Sequence, residues 1–158
     1  MIEFDVHIKA GDLYDYMLRH TYNGFSGLFG SVIGALMVIV GIYMKGWLMV
    51  IAGAVLLCYL PWTLFLKSRQ QMLANPAFKE TLHYVLDDEG IHVSQGGTQE
   101  MQEWGNIVKA VSTGKSLIVY TSKVNACIFP KRDLGDMTAQ VIQVLCTHLP
   151  AKKVKIRQ

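Results

Sequence analysis

The sequence predicts a membrane-embedded helical hairpin joined to an α+β domain. Three observations lead to this fold class. Two long apolar runs without a charged residue follow each other near the start of the chain. An alternating apolar and polar segment precedes them, and a series of short β-rich runs with a final amphipathic helix comes after them.

The two apolar runs extend from Thr21 to Met44 and from Gly46 to Leu66, with Lys45 between them. Neither run contains Asp, Glu, Lys, Arg or His. About 20 apolar residues in a helix cross the hydrocarbon core of a bilayer, so we expect two spans at about 24–44 and 47–66. The alternative is a pair of buried core helices, but a domain of this size rarely holds two adjacent uncharged helices of that length.

Basic residues flank the spans and predict the topology. Lys and Arg accumulate on the cytoplasmic side of short flanks, and two spans return the chain to the side where it started. We therefore expect a multi-pass protein of the bacterial inner membrane with both termini in the cytoplasm. The flanking residues are Lys9 and Arg19 before the spans and Lys67, Arg69 and Lys79 after them, against Lys45 in the connector.

Small residues indicate how the spans associate, because they allow helices to approach closely in lipid. Gly30 and Gly34 form a Gly-xxx-Gly step in the first span. The step favours packing of one span on the other within the hairpin, and the alternative is a homo-oligomer contact through Gly30 and Gly34. Neither span contains Asp, Glu, Lys, Arg or His, which argues against a transporter or channel acting alone.

Residues 1–20 predict a strand followed by a short amphipathic helix. Period-two alternation is typical of a half-buried strand. A lone strand is unstable, so we expect it to join the sheet that begins after residue 78. Asp12 is expected to be the N-cap of the helix, and residues 67–77 predict a helical linker that ends at Asn75-Pro76. The alternating apolar residues are Ile2, Phe4, Val6 and Ile8.

Residues 78–150 predict an antiparallel β domain with a C-terminal helix. Short β-rich runs separated by Gly and Asp turns indicate a meander. Asp136 is expected to cap a helix that ends near Leu149. Together with the N-terminal strand, six strands and one helix match the number of elements in a pleckstrin-homology-like domain. Such a domain is an antiparallel β-barrel or sandwich that is capped by its C-terminal helix. The six expected strands are 81–86, 91–94, 99–104, 107–111, 116–121 and 125–129.

The order of the motifs resembles a known family. After the two spans come Asp88-Glu89-Gly90-Ile91, Trp104-x-x-Ile107, Ile128-Phe129-Pro130-Lys131-Arg132 and a closing helix. This arrangement is similar to the YcxB-like family of small bacterial membrane proteins. The resemblance implies a membrane hairpin with a cytoplasmic pleckstrin-like domain, and it implies no established activity. The motif residues that we expect to be structural are Trp104, Ile107, Phe129 and Pro130.

The sequence contains no motif that predicts catalysis, a cofactor or a metal site. Gly114-Lys115-Ser116 lacks the first glycine of a phosphate-binding loop and is better explained as a hairpin turn. His83 and His92 could face each other across a hairpin, but a third metal ligand is missing. Cys127 has no base partner, and the three cysteines are too dispersed for a disulfide framework. We therefore expect no enzymatic activity.

Basic residues predominate in the C-terminal part of the chain. From Lys67 onward there are 12 Lys and Arg against 8 Asp and Glu. Residues 151–158 are expected to form a free basic tail. A solvated charged face is the alternative explanation, and nucleic acid is not expected as a partner because no aromatic residues are interleaved with the basic ones. The candidate contacts with a membrane surface or ligand are Lys131, Arg132, Lys152 and Lys153.

These observations predict a membrane-anchored, non-enzymatic binding or regulatory module that presents its pleckstrin-like domain at the inner membrane face. Its expected partners are the lipid bilayer and either an anionic lipid or a membrane protein. The alternative is an accessory subunit of a larger membrane transporter or enzyme complex, with the hairpin as its contact surface.

Overall fold

The computed structural model describes residues 1–123 and 125–156 and belongs to the α+β class. Helices and strands are segregated along the chain, with three helices between the first and second strands. The helices are α1 (Ala10–Tyr22), α2 (Phe25–Tyr43), α3 (Trp47–Ala74), α4 (Lys131–Leu134) and α5 (Thr138–His148). The strands are β1 (Ile2–Val6), β2 (Leu82–Leu86), β3 (Gly90–Gln95), β4 (Thr98–Glu103), β5 (Lys109–Ser112), β6 (Ser116–Tyr120), β7 (Ala126–Pro130) and β8 (Val154–Lys155).

The strands of the described residues form two four-stranded sheets rather than a closed barrel. The first sheet has the order β1-β2-β3-β4 and is antiparallel throughout. The second has the order β7-β6-β5-β8, with β8 parallel to β5. A 3₁₀ turn at Trp104–Asn106 separates β4 from β5 and starts a new sheet, so β4 remains an edge strand. Of the two predicted alternatives the barrel is therefore wrong, whereas two separate sheets agree with the sandwich.

The N-terminal strand joins the first sheet, as its alternation predicts. It pairs with β2 over its whole length, from Ile2 opposite Leu86 to Val6 opposite Leu82. Phe4 and Val6 are buried, whereas Glu3 and Asp5, which alternate with them, are exposed. The apolar side chains therefore all face the core, as the two-residue periodicity of a strand requires.

Helix α1 covers the outer face of the second sheet. Every residue of β6 is buried, because the main core lies on one face of this strand and α1 lies on the other. Tyr16 of α1 packs against Val111, Ile118 and Tyr120 on that outer face. A strand that is covered on both faces typically has a continuous run of apolar residues in its sequence, as the segment from Leu117 to Tyr120 does.

The predicted N-cap of α1 is wrong by one helical turn. The N-cap is Lys9, and Asp12 occupies the third helical position. The Asp12 carboxylate accepts a 2.8 Å hydrogen bond from the Lys9 backbone N–H. Asp12 thus forms the returning half of a capping box, and its carboxylate is buried by the neighbouring elements.

Helices α2 and α3 pack against each other as a hairpin with a short connector. A Cβ atom on Gly53 would lie 2.7 Å from the Gly34 carbonyl oxygen, and one on Gly41 would lie 2.8 Å from Val50. Only glycine allows such close backbone approach, so Gly34 serves packing within the hairpin. By length and composition, α3 could cross a membrane. A second crossing is possible if Ala10–Tyr22 and Gly27–Tyr43, which are bent by 80° at their junction, are one span.

The C-terminal region differs from the prediction in two places. Asp136 lies in a 3₁₀ turn at Gly135–Met137 and is not the cap of the last helix, whose N-cap is Met137. The expected free tail is wrong for residues 151–155, because β8 pairs with β5. Val154 pairs there because it is apolar and packs against the main core. The last two residues of the predicted tail, 157 and 158, lie outside the described residues.

Candidate functional site

The basic pair after β7 is engaged within the protein. The Lys131 ammonium donates a 2.7 Å hydrogen bond to the Thr113 carbonyl oxygen. Arg132 donates to the Asp133 carboxylate at 2.7 Å, to the Asp12 carboxylate at 3.2 Å and to the His7 carbonyl oxygen at 3.0 Å. These bonds attach α4 to β1 and α1, so the Arg132 guanidinium is a structural link.

Ion pairing in this link alters the acidity of its members. Burial alone would raise the pKa of Asp133, but hydrogen bonds from Arg132 and from the His7 backbone N–H hold it below the ordinary value. The hydrogen bond to Asp133 is the main reason that the pKa of Arg132 is raised. Both groups are therefore charged in the native protein near neutral pH.

The other two predicted basic residues lie at the opposite end of β5. The Lys153 ammonium donates a 2.6 Å hydrogen bond to the Ile107 carbonyl oxygen, whereas Lys131 reaches the carbonyl of Thr113. Lys152 is exposed in a 3₁₀ turn. The four predicted contact residues therefore do not form one basic patch.

The four motif residues expected to be structural all lie in buried positions. Ile107 and Phe129 are fully buried in the main core, and Pro130 is the buried N-cap of α4. The Trp104 indole N–H donates a 2.9 Å hydrogen bond to the Asp87 carbonyl oxygen. Its ring stacks on His148 with a centroid distance of 4.8 Å, which attaches α5 to the turn between β4 and β5.

The two histidines of the first sheet have separate acidic neighbours. His83 Nδ1 lies 2.7 Å from an Asp5 carboxylate oxygen, and His92 Nε2 lies 2.9 Å from one of Asp87. Hydrogen bonds from the backbone N–H groups of Gly90 and Glu89 hold the pKa of Asp87 below its ordinary value. Within the described residues no three His, Cys, Asp or Glu side chains are close enough to hold a metal ion.

A cavity of about 940 Å³ lies between the first sheet, β7 and the end of α3. Tyr84, Glu100 and Cys127 are polar members of its lining. Burial raises the pKa of Cys127 to about 11, and burial also raises that of Tyr84 well above its ordinary value. Because a thiol rather than a thiolate faces the cavity, Cys127 is not an activated nucleophile.

A cluster of aromatic and basic side chains lies at the end of α1, and the sequence analysis did not predict it. It contains Tyr16, Arg19 and His20 of α1 together with Lys109 and Tyr120 of the second sheet, and we call it the α1 cluster. The one available signal was the Tyr16/His20 spacing of four residues, which places both rings on one helix face. The sheet residues that complete the cluster are about 90 positions further along the chain, and no local pattern connects them to α1.

Comparison with known proteins gives one family match. A family model described as YcxB-like protein matches residues 86–143. No curated protein and no solved structure gave a significant match. The matched segment contains β3 to β7, α4 and the first half of α5, together with the four buried motif residues. The match over residues 86–143 therefore supports the resemblance to the YcxB-like family that the motifs indicate.

Proposed function

We propose that this protein is a membrane-anchored, non-enzymatic module that holds its α+β domain at the inner face of the bacterial cell membrane. The observation that carries this proposal is the placement of the helical hairpin between two paired strands. β1 and β2 are neighbours in one sheet, and α1, α2 and α3 are inserted between them.

This insertion constrains the topology. Residues 2–6 and 82–86 pair along their whole length, so they occupy the same side of any membrane, because strand pairing requires a direct backbone contact of about 5 Å. The chain between them must then cross the bilayer an even number of times. A single crossing by α3 is therefore incompatible with the pairing of β1 and β2, whereas two crossings, by α2 and α3, meet this requirement.

The surface of the hairpin supports insertion in lipid. Large apolar side chains of both helices are exposed, for example Leu48 at 86%, Val55 at 62% and Ile39 at 63%. Burying each such side chain away from water contributes about 1.5–3 kcal/mol. Exposed apolar surfaces of this extent normally mark a membrane or protein contact.

The ends of the hairpin support its orientation. Tyr43 and Trp47 are exposed beside the connector, and Trp62 is exposed at the other end, as is typical of aromatic residues at membrane interfaces. At this end α3 packs on α1, where the centroids of the Tyr14 and Phe65 rings are 5.8 Å apart, and beyond Leu66 its sequence becomes polar. The positions of Lys67 and Arg69 on this side favour the cytoplasm.

The proposal includes a relation of the α+β domain to pleckstrin-like domains. Strands β1 to β7, which belong to two sheets and precede α5, are in agreement with an open version of that architecture. The protonated Cys127 and the separately paired histidines support a binding role rather than catalysis. Such a domain would bind a protein or a lipid headgroup close to the membrane.

The alternative function, an accessory subunit of a larger membrane complex, is favoured by one observation. A Cβ atom on Gly30 would meet no atom within 4 Å, so this face of α2 is open to another helix, whereas Gly34 is already used within the hairpin. Small residues at such positions let membrane helices approach closely. Co-purification in mild detergent distinguishes the two functions, because a stoichiometric membrane partner is expected only for the subunit.

A reporter fusion tests the anchoring itself. We expect a reporter that is active only outside the cytoplasm to remain inactive at the C-terminus, and the same reporter inserted at Lys45 to be active. We also expect the protein to resist extraction from membranes by alkaline carbonate. Release by carbonate, or activity of the C-terminal fusion, would refute the proposed function.

A further inference from the structure

Three aromatic rings form the base of the α1 cluster. Tyr16 and His20 stack one helical turn apart, with ring centroids separated by 5.8 Å. Both rings also contact Tyr120 on β6, at 5.9 and 6.2 Å. The end of α1 is thereby fixed against the outer face of the second sheet.

Three basic side chains surround this aromatic base. Lys109 is the direct cross-strand partner of Tyr120, and its ammonium lies 4.5 Å from the centroid of that ring. Arg19 is close enough to Tyr120 to lower the pKa of its phenol, and His20 stacks on the same ring. Within the described residues no ion pair joins Arg19, His20 or Lys109 to a carboxylate.

The nearest acidic residue on α1 is already occupied. Asp15 lies one turn before Arg19 and accepts a hydrogen bond from the Thr113 hydroxyl. Thr113 is at the far end of the β5–β6 hairpin from Tyr120. The positive charge of the α1 cluster is therefore not neutralised by a bonded carboxylate.

Among the residues that the structure describes, two buried donors of the cluster have no hydrogen-bond partner. They are the Tyr120 hydroxyl and the Arg19 Nε–H, and both atoms are shielded from solvent. Burial raises the pKa of Tyr120 to about 12, so its phenol keeps its proton at physiological pH. Buried polar groups are almost always hydrogen-bonded in native proteins, and beside three basic groups an acceptor with negative charge suits these donors best.

The location of the cluster identifies the source of that acceptor. Arg19 and His20 are in the last turn of α1, and α2 begins at Phe25. Under the proposed function, on which this inference rests, α2 enters the bilayer at this point. Anionic headgroups are concentrated at that surface and attract basic residues within about 8 Å at physiological salt.

We infer that the α1 cluster binds the phosphate group of an anionic lipid headgroup, with Arg19 and Lys109 supplying charge and the Tyr120 hydroxyl donating a hydrogen bond. Charge-assisted hydrogen bonds to phosphate are shorter and stronger than neutral ones. The bound headgroup orients the domain relative to the membrane. This site is distinct from Lys131 and Arg132, whose charged groups are bonded within the protein.

The test is calorimetric titration of the full-length chain in nonionic detergent micelles with dihexanoyl phosphatidic acid. Dihexanoyl phosphatidylcholine and inorganic phosphate are the comparison ligands. We expect Arg19→Gln and Lys109→Gln each to weaken binding of phosphatidic acid about fivefold, which corresponds to about 1 kcal/mol per basic residue. Tyr120→Phe keeps the ring contacts and is expected to weaken binding about threefold to tenfold, the range for one lost hydrogen bond.

Lys115→Gln is the matched control, because Lys115 is exposed in the turn at the opposite end of the same hairpin. We expect it to bind like the wild type. Equal affinity in all variants, or equal affinity for phosphatidylcholine, would overturn the inference. Equal affinity for inorganic phosphate would overturn the assignment to a lipid. Because micelles do not require bilayer insertion, a failed titration is separable from failure of the reporter and carbonate experiments.

Discussion

Arg132 shows how much the role of a single residue depends on its partners. It contacts the buried Asp12 carboxylate as well as Asp133 and the His7 carbonyl oxygen. Without Arg132, the hydrogen bond from the Lys9 backbone N–H is the remaining one to the Asp12 carboxylate among the described residues. A partner lost from a buried charge is costly, although Arg132 is itself half-exposed, which reduces the effect.

We therefore expect Arg132→Ala to lower the free energy of unfolding by about 1–3 kcal/mol. Denaturant unfolding of the full chain in micelles measures this change. Lys152→Ala, at an exposed position without structural bonds, is the control and is expected to change stability by less than about 0.5 kcal/mol. Equal stability of both variants would contradict the structural role of Arg132.

The depressed pKa of Asp133 predicts a loss of stability in acid. Because its folded-state pKa is below the ordinary value of 3.8, its contribution is fully present above that value and is lost as the pH falls through the folded pKa. We expect Asp133→Asn to be less stable than the wild type at pH 6 and to lose less stability on acidification. Asp136→Asn, at an exposed position, should keep the wild-type pH profile, and an identical profile for Asp133→Asn would refute this prediction.

For single residues, the sequence predicts burial better than it predicts hydrogen-bond partners. The burial of Trp104, Ile107 and Phe129 follows from their apolar character. The bonds of Lys131, Arg132 and Lys153 could not be predicted, because their acceptors are far away in the sequence and basic residues in any surface segment have the same local pattern. The α1 cluster escaped prediction for the same reason.

Strand β1 is the element whose contribution is easiest to isolate. The Phe4 ring contacts the rings of Tyr84 and Phe129 at 5.8 and 5.2 Å. Truncating a buried phenylalanine costs about 3–5 kcal/mol, so we expect Phe4→Ala to destabilise the domain by that amount. Glu3→Ala, the adjacent exposed position on the same strand, is the control and should be nearly neutral.

Deletion extends the same prediction to the whole strand. We expect removal of residues 1–10 to destabilise the α+β domain in thermal unfolding, because the main core loses Phe4, Val6 and Ile8. A fragment that starts near Phe78 and is as stable as the domain in the full chain would show that β1 is dispensable.

The hairpin offers a matched pair of glycines. A methyl group on Gly53 would lie 2.7 Å from the Gly34 carbonyl oxygen, whereas one on Gly30 would meet nothing within 4 Å. Overpacking of this kind costs about 1–3 kcal/mol, so we expect Gly53→Ala to lower the midpoint of thermal unfolding in micelles and Gly30→Ala to leave it unchanged. A lower midpoint for Gly30→Ala would indicate that this face packs against another chain.

The elements were predicted more completely than their connections. Six strands, the N-terminal strand and the helices were expected from periodicity and turn residues. The separation into two sheets depends on how the chain turns at Trp104–Asn106, which no periodicity encodes. Strand β8 was missed because a strand of two residues, one of them a lysine, is too short to show a pattern, and only pairing with β5 defines it.

For the whole molecule, the sequence predicts a hairpin in a membrane, and the fold adds a reason for its topology. Strands β1 and β2 are 75 or more residues apart in the chain yet adjacent in the sheet. The hairpin is thus an insertion in a single folded domain rather than an N-terminal anchor attached to it. Under the proposed function, closing this sheet and inserting the hairpin into the bilayer are therefore coupled events.

Accessibility of single cysteines tests the central claim most directly. Cys58 lies 11 residues after the start of α3, which at 1.5 Å per residue places it about 16 Å along the helix, near the middle of a bilayer core of about 30 Å. Cys146 is exposed on α5. Variants that retain only one of these cysteines, or that carry only Glu3→Cys or Lys45→Cys, can be treated in sealed vesicles with a charged, membrane-impermeant maleimide.

We predict that Cys146 and the cysteine at position 3 react from one side of the membrane and the cysteine at position 45 from the other. Cys58 should react only after the membrane is dissolved in sodium dodecyl sulfate. Reaction of positions 3 and 146 from opposite sides, or reaction of Cys58 as fast as Cys146 in intact vesicles, would contradict the membrane hairpin.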